Sequence, residues 1–133
     1  MLKFVVDFPD HVPNKKQYSQ LTIDQIYEYL SYEAKLTIAC NNLIIFSEEV
    51  AIVEFFWYLS NWYKGFRAGN KDPFIYTTVE FTAPILEFSA SEINCWRIDS
   101  IWKRCDEAVI VDDLAFSNEI DRLIRALKAT LEC

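Results

Sequence analysis

The stretch of residues 47–65, SEEVAIVEFFWYLSNWYKG, constrains the fold most, because it carries the signals of a long helix that is apolar on more than one side. Ser47 fits the N-cap position, since its side-chain oxygen can accept hydrogen bonds from the first turn, and Gly65 can adopt the positive φ that often follows a last turn. The main apolar face consists of Ile52, Phe55, Phe56, Leu59, Trp62 and Tyr63. A weaker strip, nearly opposite, consists of Val50, Val53 and Trp57. We therefore expect this helix to be covered on two sides.

The segments before this helix predict strands. Residues 2–8 and 33–40 alternate between apolar and other residues with a period of two, which is typical of half-buried strands. Asn41 and Asn42 offer the positive-φ residues of a tight hairpin before the apolar run 43–46. The preceding residues, 21–32, favour a helical turn that enters a strand, although their tyrosines and β-branched residues also suit a strand.

The segments after the helix predict an antiparallel meander and a closing helix. Period-two alternation returns in three runs near residues 74–81, 85–90 and 96–102, and the joints between them are too short for the crossover helices of a parallel sheet. Residues 109–111 suit a short edge strand, and residues 113–131 form an amphipathic helical pattern. We predict a single α+β domain over residues 1–133. It has an antiparallel sheet of about five or six strands, with two main helices, 48–64 and 113–131, on one face.

Composition limits the partners that the chain can bind. Thirteen Lys and Arg residues against twenty Asp and Glu residues give a formal charge of −7. Such a charge disfavours nucleic acid and anionic membranes and favours a basic protein partner. The sequence shows no signal-peptide pattern and no apolar run approaching the roughly 18 residues that span a bilayer, so a cytoplasmic location is expected.

The cysteines and the histidine indicate neither a metal nor a cofactor. Cys40, Cys95, Cys105 and Cys133 are widely spaced and never form a CxxC pair. Two disulfides are an alternative for a secreted chain, but reduced thiols suit the expected cytoplasmic location. His11 is the only histidine and lies in a proline-rich loop, so neither a zinc site nor a histidine-based catalytic triad is expected. A glycine-rich phosphate loop is also missing from the sequence.

The candidate binding residues are acidic and aromatic. Glu80, Glu87 and Asp99 fall on successive strands of the predicted meander, where they can converge on its solvent face. Acid–base catalysis or a divalent cation would use such a group, but an ordinary polar sheet face explains it better, because Arg97 lies among the acids and their spacing is not specific to an enzyme. Trp57 and Tyr76 lie off the predicted core stripes and beside acidic residues, so we predict that they anchor a basic protein partner unless they pack within the fold.

The order of several segments resembles a known family. These segments are LSNW on the long helix, FIYTTVEF, PILEF and CWRIDSIW on the meander, and the final amphipathic helix. Together they resemble small cytoplasmic immunity proteins encoded beside bacterial polymorphic or contact-dependent toxins. The resemblance implies a noncatalytic protein that binds and blocks a toxin domain, often a nuclease.

Two other classes of function stay open at this point. One is a small-ligand-binding or enzymatic domain, whose pocket between sheet and helices would use Tyr76, Glu80, Glu87 and Asp99. The other is a homodimer or complex subunit that associates through the strip of Val50, Val53 and Trp57.

Overall fold

The chain folds as an α+β protein with two antiparallel sheets. The computed structural model describes residues 1–9, 22–77 and 84–131. In these residues the first sheet has the order β1-β2-β3 and the second the order β4-β5-β6-β7. The strands are β1 (Leu2–Asp7), β2 (Glu33–Cys40), β3 (Leu43–Ala51), β4 (Phe74–Tyr76), β5 (Leu86–Ala90), β6 (Cys95–Asp99) and β7 (Val109–Asp112). The helices are α1 (Ile23–Ser31), α2 (Ile52–Arg67) and α3 (Asp113–Leu131).

The hairpin between β2 and β3 confirms the turn predicted from the asparagines. Asn41 and Asn42 have φ angles of 52° and 68°, which a tight two-residue turn requires. The register shifts between Ile38 and Ala39, so that β3 contains one extra residue at this point. Ile45 and Phe46 are consecutive and both buried, because the bulge breaks the strict alternation of faces.

Helix α2 begins four residues later than the sequence pattern predicted. Ser47 is not its N-cap but a buried residue of β3, and its hydroxyl lies 3.0 Å from that of Thr37 on β2. The N-cap position is held by Ala51, which makes no side-chain cap hydrogen bond. The reason is tertiary: pairing with β2 continues up to Ala51, which lies opposite Glu33, and it keeps this segment extended.

The same helix also ends later than predicted. Gly65 lies inside α2, which continues to Arg67, and Gly69 supplies the positive φ, at 95°. Phe66 explains the extension, because its ring packs on Tyr63 and Trp96 at centroid distances of 5.7 and 5.3 Å. Losing the last turn would expose this aromatic ring.

The predicted meander is confirmed, but it forms a sheet of its own. Strands β4 to β7 pair in sequence order, with Phe74 opposite Phe88 and Tyr76 opposite Leu86. The prediction of one sheet with five or six strands is therefore wrong, because the strands divide into sheets of three and four. The two sheets meet through side chains instead of a backbone ladder: the rings of Phe4 on β1 and Phe88 on β5 are 5.7 Å apart.

Aromatic side chains join the helices to the second sheet. Phe55 of α2 makes edge contacts with Phe74 and Tyr76 at 5.9 and 5.5 Å, while Phe116 of α3 stacks on Trp96 at 4.9 Å. The predicted second strip is divided between two elements, because Val50 lies in β3 whereas Val53 and Trp57 lie in α2. Val50 and Val53 are buried, and Trp57 packs against the core. Helix α2 is therefore covered on two sides within one chain, as expected.

Candidate protein-binding surface

The outer face of the second sheet carries Glu87 and Asp99, two of the acidic residues that the sequence analysis predicted to bind a partner. Side chains of this sheet alternate between the core and the outside, and the inner positions are filled by buried aromatic and aliphatic residues. The outer positions, defined here as the acidic sheet face, are Ile75, Glu87, Ser89, Arg97, Asp99 and Ile110. The register aligns them in two rows across the strands.

The first row places two carboxylates next to each other. Glu87 on β5 lies directly opposite Asp99 on β6, and Ile75 on β4 lies opposite Glu87 on its other side. Like charges in directly opposed positions destabilise a sheet, since their side chains start from Cα atoms only about 5 Å apart. The two carboxylates of this row therefore repel each other in the folded protein.

Only one of the two carboxylates has a cation beside it. The Lys103 Nζ atom lies 3.5 Å from an Asp99 oxygen and also donates to the carbonyl of Glu107 at 3.1 Å. Asp99 additionally accepts a hydrogen bond from the backbone N–H of Ser100 at 2.9 Å. Among residues 1–9, 22–77 and 84–131, no ion pair includes Glu87. With Lys103, the row therefore keeps one net negative charge, and Arg97 of the second row adds a positive charge to the same face.

Two exposed aliphatic side chains flank the charged positions. Ile75 is 51% exposed on β4, and Ile110 is 47% exposed on β7, where it lies opposite Arg97. The face thus combines apolar area at its two sides with carboxylates between them. Surfaces that bind other proteins often combine polar area with exposed apolar side chains in this way.

The structure separates two other predicted binding residues, Tyr76 and Trp57, from this face. Tyr76 is 1% exposed and points into the core, because its partner in the register is the buried Leu86. Trp57 is partly buried and packs against the core instead of standing free on the surface. Glu80 lies outside the described residues. Of the four candidates within the described residues, only Glu87 and Asp99 are brought together.

The environment of Tyr76 was not predicted from the sequence. Its ring lies 6.0 Å from that of Tyr58, one helical turn after Glu54 on α2. Burial raises the pKa of Tyr76 well above its usual value of 10.0, and the charges of Glu54, Tyr58 and Glu33 raise this pKa further. The available signal was the i, i+4 spacing of Glu54 and Tyr58, which places both on one side of α2.

Comparison with known proteins assigns the family but not an activity. A family model described as "Domain of unknown function (DUF7878)" matches residues 4–133. The chain belongs to this family. The DUF7878 match includes all three helices and both sheets, apart from the first two residues of β1. No curated protein and no solved structure matches the chain.

The described part of this DUF7878 domain contains neither a metal-binding group of side chains nor a membrane-spanning helix. No group of three or more His, Cys, Asp or Glu side chains is arranged to hold a metal ion there. None of its described helices is long and apolar enough to cross a membrane.

Proposed function

We propose that this protein is a noncatalytic immunity protein that uses the acidic sheet face to bind and block a basic toxin domain, such as a nuclease. The opposition of Glu87 and Asp99 carries the proposal, because Lys103 neutralises Asp99, while the adjacent Glu87 keeps a negative charge that a partner's Lys or Arg can neutralise. The immunity role itself rests on the resemblance of the sequence segments described above.

Charge and apolar area contribute to different steps of such binding. The formal charge of −7 favours the approach of a basic surface and raises the association rate at low salt. Ile75 and Ile110 supply apolar contact area, whose burial slows dissociation. Trp57, which the sequence suggested as an anchor, is less suited because it already packs against the core.

Geometry favours this proposal over the two alternatives. A pocket formed by Tyr76, Glu87 and Asp99 would need these side chains on one side of the sheet, whereas Tyr76 faces the core and the two acids face outward. A dimer built on the second apolar strip would need Val50 and Val53 at the surface, whereas both are buried within one chain.

Co-expression with toxin domains encoded beside this protein tests the proposal. We expect host survival and a complex that can be isolated with one of these domains. In that complex, the double variant Glu87→Lys and Asp99→Lys should associate at least about tenfold more slowly at low salt, because it reverses the charge at the contact. Association rates measured over a range of salt concentrations should also depend less on salt than those of the wild type.

The first sheet offers a matched control. Asp7 and Glu49 are exposed and flank Lys35 in the register of β1, β2 and β3. The double variant Asp7→Lys and Glu49→Lys changes the net charge by the same amount on a different surface, and it should retain most of the association rate. Equal slowing by both double variants would contradict a role of the acidic sheet face. Failure to protect against any neighbouring toxin would overturn the immunity proposal.

A further inference from the structure

Strand β7 is an edge strand of the second sheet, and the backbone groups on its outer side face away from the sheet. The N–H of Asp113, just after β7, donates to the carbonyl of Asn94 at 2.7 Å, so the backbone at Asp113 faces β6. Because the backbone groups of a strand alternate in direction, those of Ile110 and Asp112 face away from β6. Cys95, opposite Asp112, agrees with this alternation, since its carbonyl accepts a hydrogen bond from the residue after β5 at 3.0 Å. Ile110 therefore presents both its N–H and its C=O to a neighbour outside the sheet.

This edge differs from the other three sheet edges. Within the described residues, no hydrogen bond reaches the outward N–H and C=O of Ile110. On β1 and β3, arginine side chains donate to outward carbonyls, those of Phe4 and Ser47. On the edge strand β4, the residue before the strand is Pro73, which has no N–H to offer. An edge strand without such protection is a template for pairing with another strand.

The side chains on this edge select the class of partner. Ile110 is 47% exposed, and Asp112 is exposed and takes part in no ion pair among the described residues. An added strand would place its own side chains beside these two, so an apolar residue fits next to Ile110 and a Lys or Arg next to Asp112. A second copy of this chain is a poorer partner, because both copies would carry a charge of −7 and a strand of four residues buries little area.

We propose that β7 binds an extended segment of a basic protein partner, which pairs with β7 as a fifth strand of the second sheet. In antiparallel pairing, the partner residue opposite Ile110 exchanges both backbone hydrogen bonds with it. A Lys or Arg two residues earlier in the partner then lies beside Asp112. The added strand continues the acidic sheet face beyond Ile110. The identity of the partner as a toxin domain rests on the proposed function, whereas the open edge does not.

Amide hydrogen exchange of the free protein tests whether this edge is open. The backbone of Val111 faces Trp96 on β6, whereas that of Ile110 faces outward. The protection factor of the Ile110 amide should therefore be at least about tenfold lower than that of the Val111 amide. Equal protection of the two amides would overturn the proposal, because the edge would already be paired. A dimer in analytical ultracentrifugation that Ile110→Pro dissolves would overturn it as well, because a second copy would then occupy the edge.

Titration of the isotope-labelled protein with short peptides, followed by NMR, tests the class of partner. The probe is acetyl-Thr-Lys-Thr-Val-Thr-amide, whose Lys and Val are spaced to lie beside Asp112 and Ile110. The backbone amides of these two residues should shift in a saturable manner, with a dissociation constant on the order of 1–10 mM for so short a peptide. The same peptide with Glu in place of Lys is the matched control, and it should bind several-fold more weakly because Asp112 repels it.

A third peptide, N-methylated at its Val, examines the backbone hydrogen bonds without changing the protein. It lacks the N–H that the carbonyl of Ile110 would accept, and it should bind at least about tenfold more weakly than the probe. Ile110→Pro removes the outward N–H without interrupting the ladder with β6 and should lose binding of the probe. Ile110→Val keeps this N–H and should retain it.

The outcomes separate this proposal from the immunity role. Equal binding of the three peptides, or no saturable shift at Ile110, would overturn strand pairing at β7, even where a toxin complex forms. Saturable binding of the probe that depends on its Lys and on its Val N–H would support the pairing. If such binding occurs but the protein protects against no neighbouring toxin, the open edge stands and only the proposed function fails.

Discussion

The Glu119 carboxylate of α3 accepts a hydrogen bond from the backbone N–H of Phe4 at 2.6 Å, although the two residues lie 115 positions apart. Arg122, one turn later, donates to the carbonyl of the same Phe4 and forms an ion pair with Glu119 at 2.6 Å. The pair therefore satisfies both outward backbone groups of one residue on the edge strand β1. A further strand paired with β1 would offer Phe4 the same kinds of partner, one hydrogen-bond acceptor and one donor.

The opposite edge of the first sheet is closed in a similar way. The backbone N–H of Arg104 donates to the carbonyl of Ile45 at 2.8 Å, and its guanidinium donates to the carbonyl of Ser47 at 3.1 Å. Side chains and a loop thus occupy backbone groups that otherwise recruit further strands. This arrangement accounts for a first sheet of three strands that does not continue into the second.

Opening the β1 edge should promote self-association. We expect the double variant Glu119→Ala and Arg122→Ala to lose roughly 1–3 kcal/mol of unfolding free energy, because Phe4 keeps a partly buried N–H without a partner. Analytical ultracentrifugation should show association that increases with concentration. The matched control is Arg125→Ala, which breaks the ion pair of 2.9 Å with Asp121 on the same helix and leaves Asp121 to accept its hydrogen bond from Tyr63. A double variant that stays monomeric and as stable as this control would contradict the role in edge closure.

Asp113 should contribute more stability than its neighbour Asp112. The Asp113 carboxylate accepts the indole N–H of the buried Trp96 at 2.8 Å and lies 3.7 Å from the ammonium group of Lys71. Asp113→Ala should cost roughly 1–3 kcal/mol, since a buried donor loses its partner. Asp112→Ala removes only the capping hydrogen bond to the N–H of Ala115 and should cost about 1 kcal/mol. Urea unfolding of both variants measures the difference, and equal losses would contradict the prediction.

The raised pKa of Tyr76 should make the protein less stable in alkaline solution. Unfolded chains lose this phenol proton near pH 10.0, whereas burial and nearby negative charges keep it bound in the folded state. Stability from this group is complete below pH 10.0 and falls as the pH rises further, by about 1.4 kcal/mol per pH unit. Tyr76→Phe removes this contribution, so its unfolding free energy should decrease less between about pH 9 and pH 11. Parallel decreases in the two proteins would show that Tyr76 does not have a raised pKa.

The hairpin asparagines should tolerate glycine but not a β-branched residue. Asn42 has a φ of 68°, a conformation that valine adopts only with strain. Asn42→Val should therefore lower the unfolding free energy by about 1–2 kcal/mol, while Asn42→Gly should stay within a few tenths of the wild-type value. Urea unfolding again provides the measurement. Equal stability of the two variants would mean that the turn does not need this conformation.

Local patterns were sufficient to predict several elements. The asparagine pair predicted the turn between β2 and β3, and the apolar period of residues 113–131 predicted α3 with the bounds that the structure shows. The period-two runs after residue 74 predicted the order of β4 to β7, and the register then placed Glu87 beside Asp99. In each case the decisive contacts lie within one element or between consecutive strands, so a short sequence window contains both partners.

The tertiary structure decided the features whose partners lie far apart in the chain. Ser47 carries a good N-cap signal, yet pairing with β2 keeps it in a strand, because ladder hydrogen bonds and burial outweigh a single cap. Tyr76 lies inside because its strand faces Phe55 of α2, and an alternating pattern alone does not tell which face is inward. The division into two sheets depends on Glu119 and Arg122 reaching Phe4, a contact that becomes possible only when α3 packs against β1.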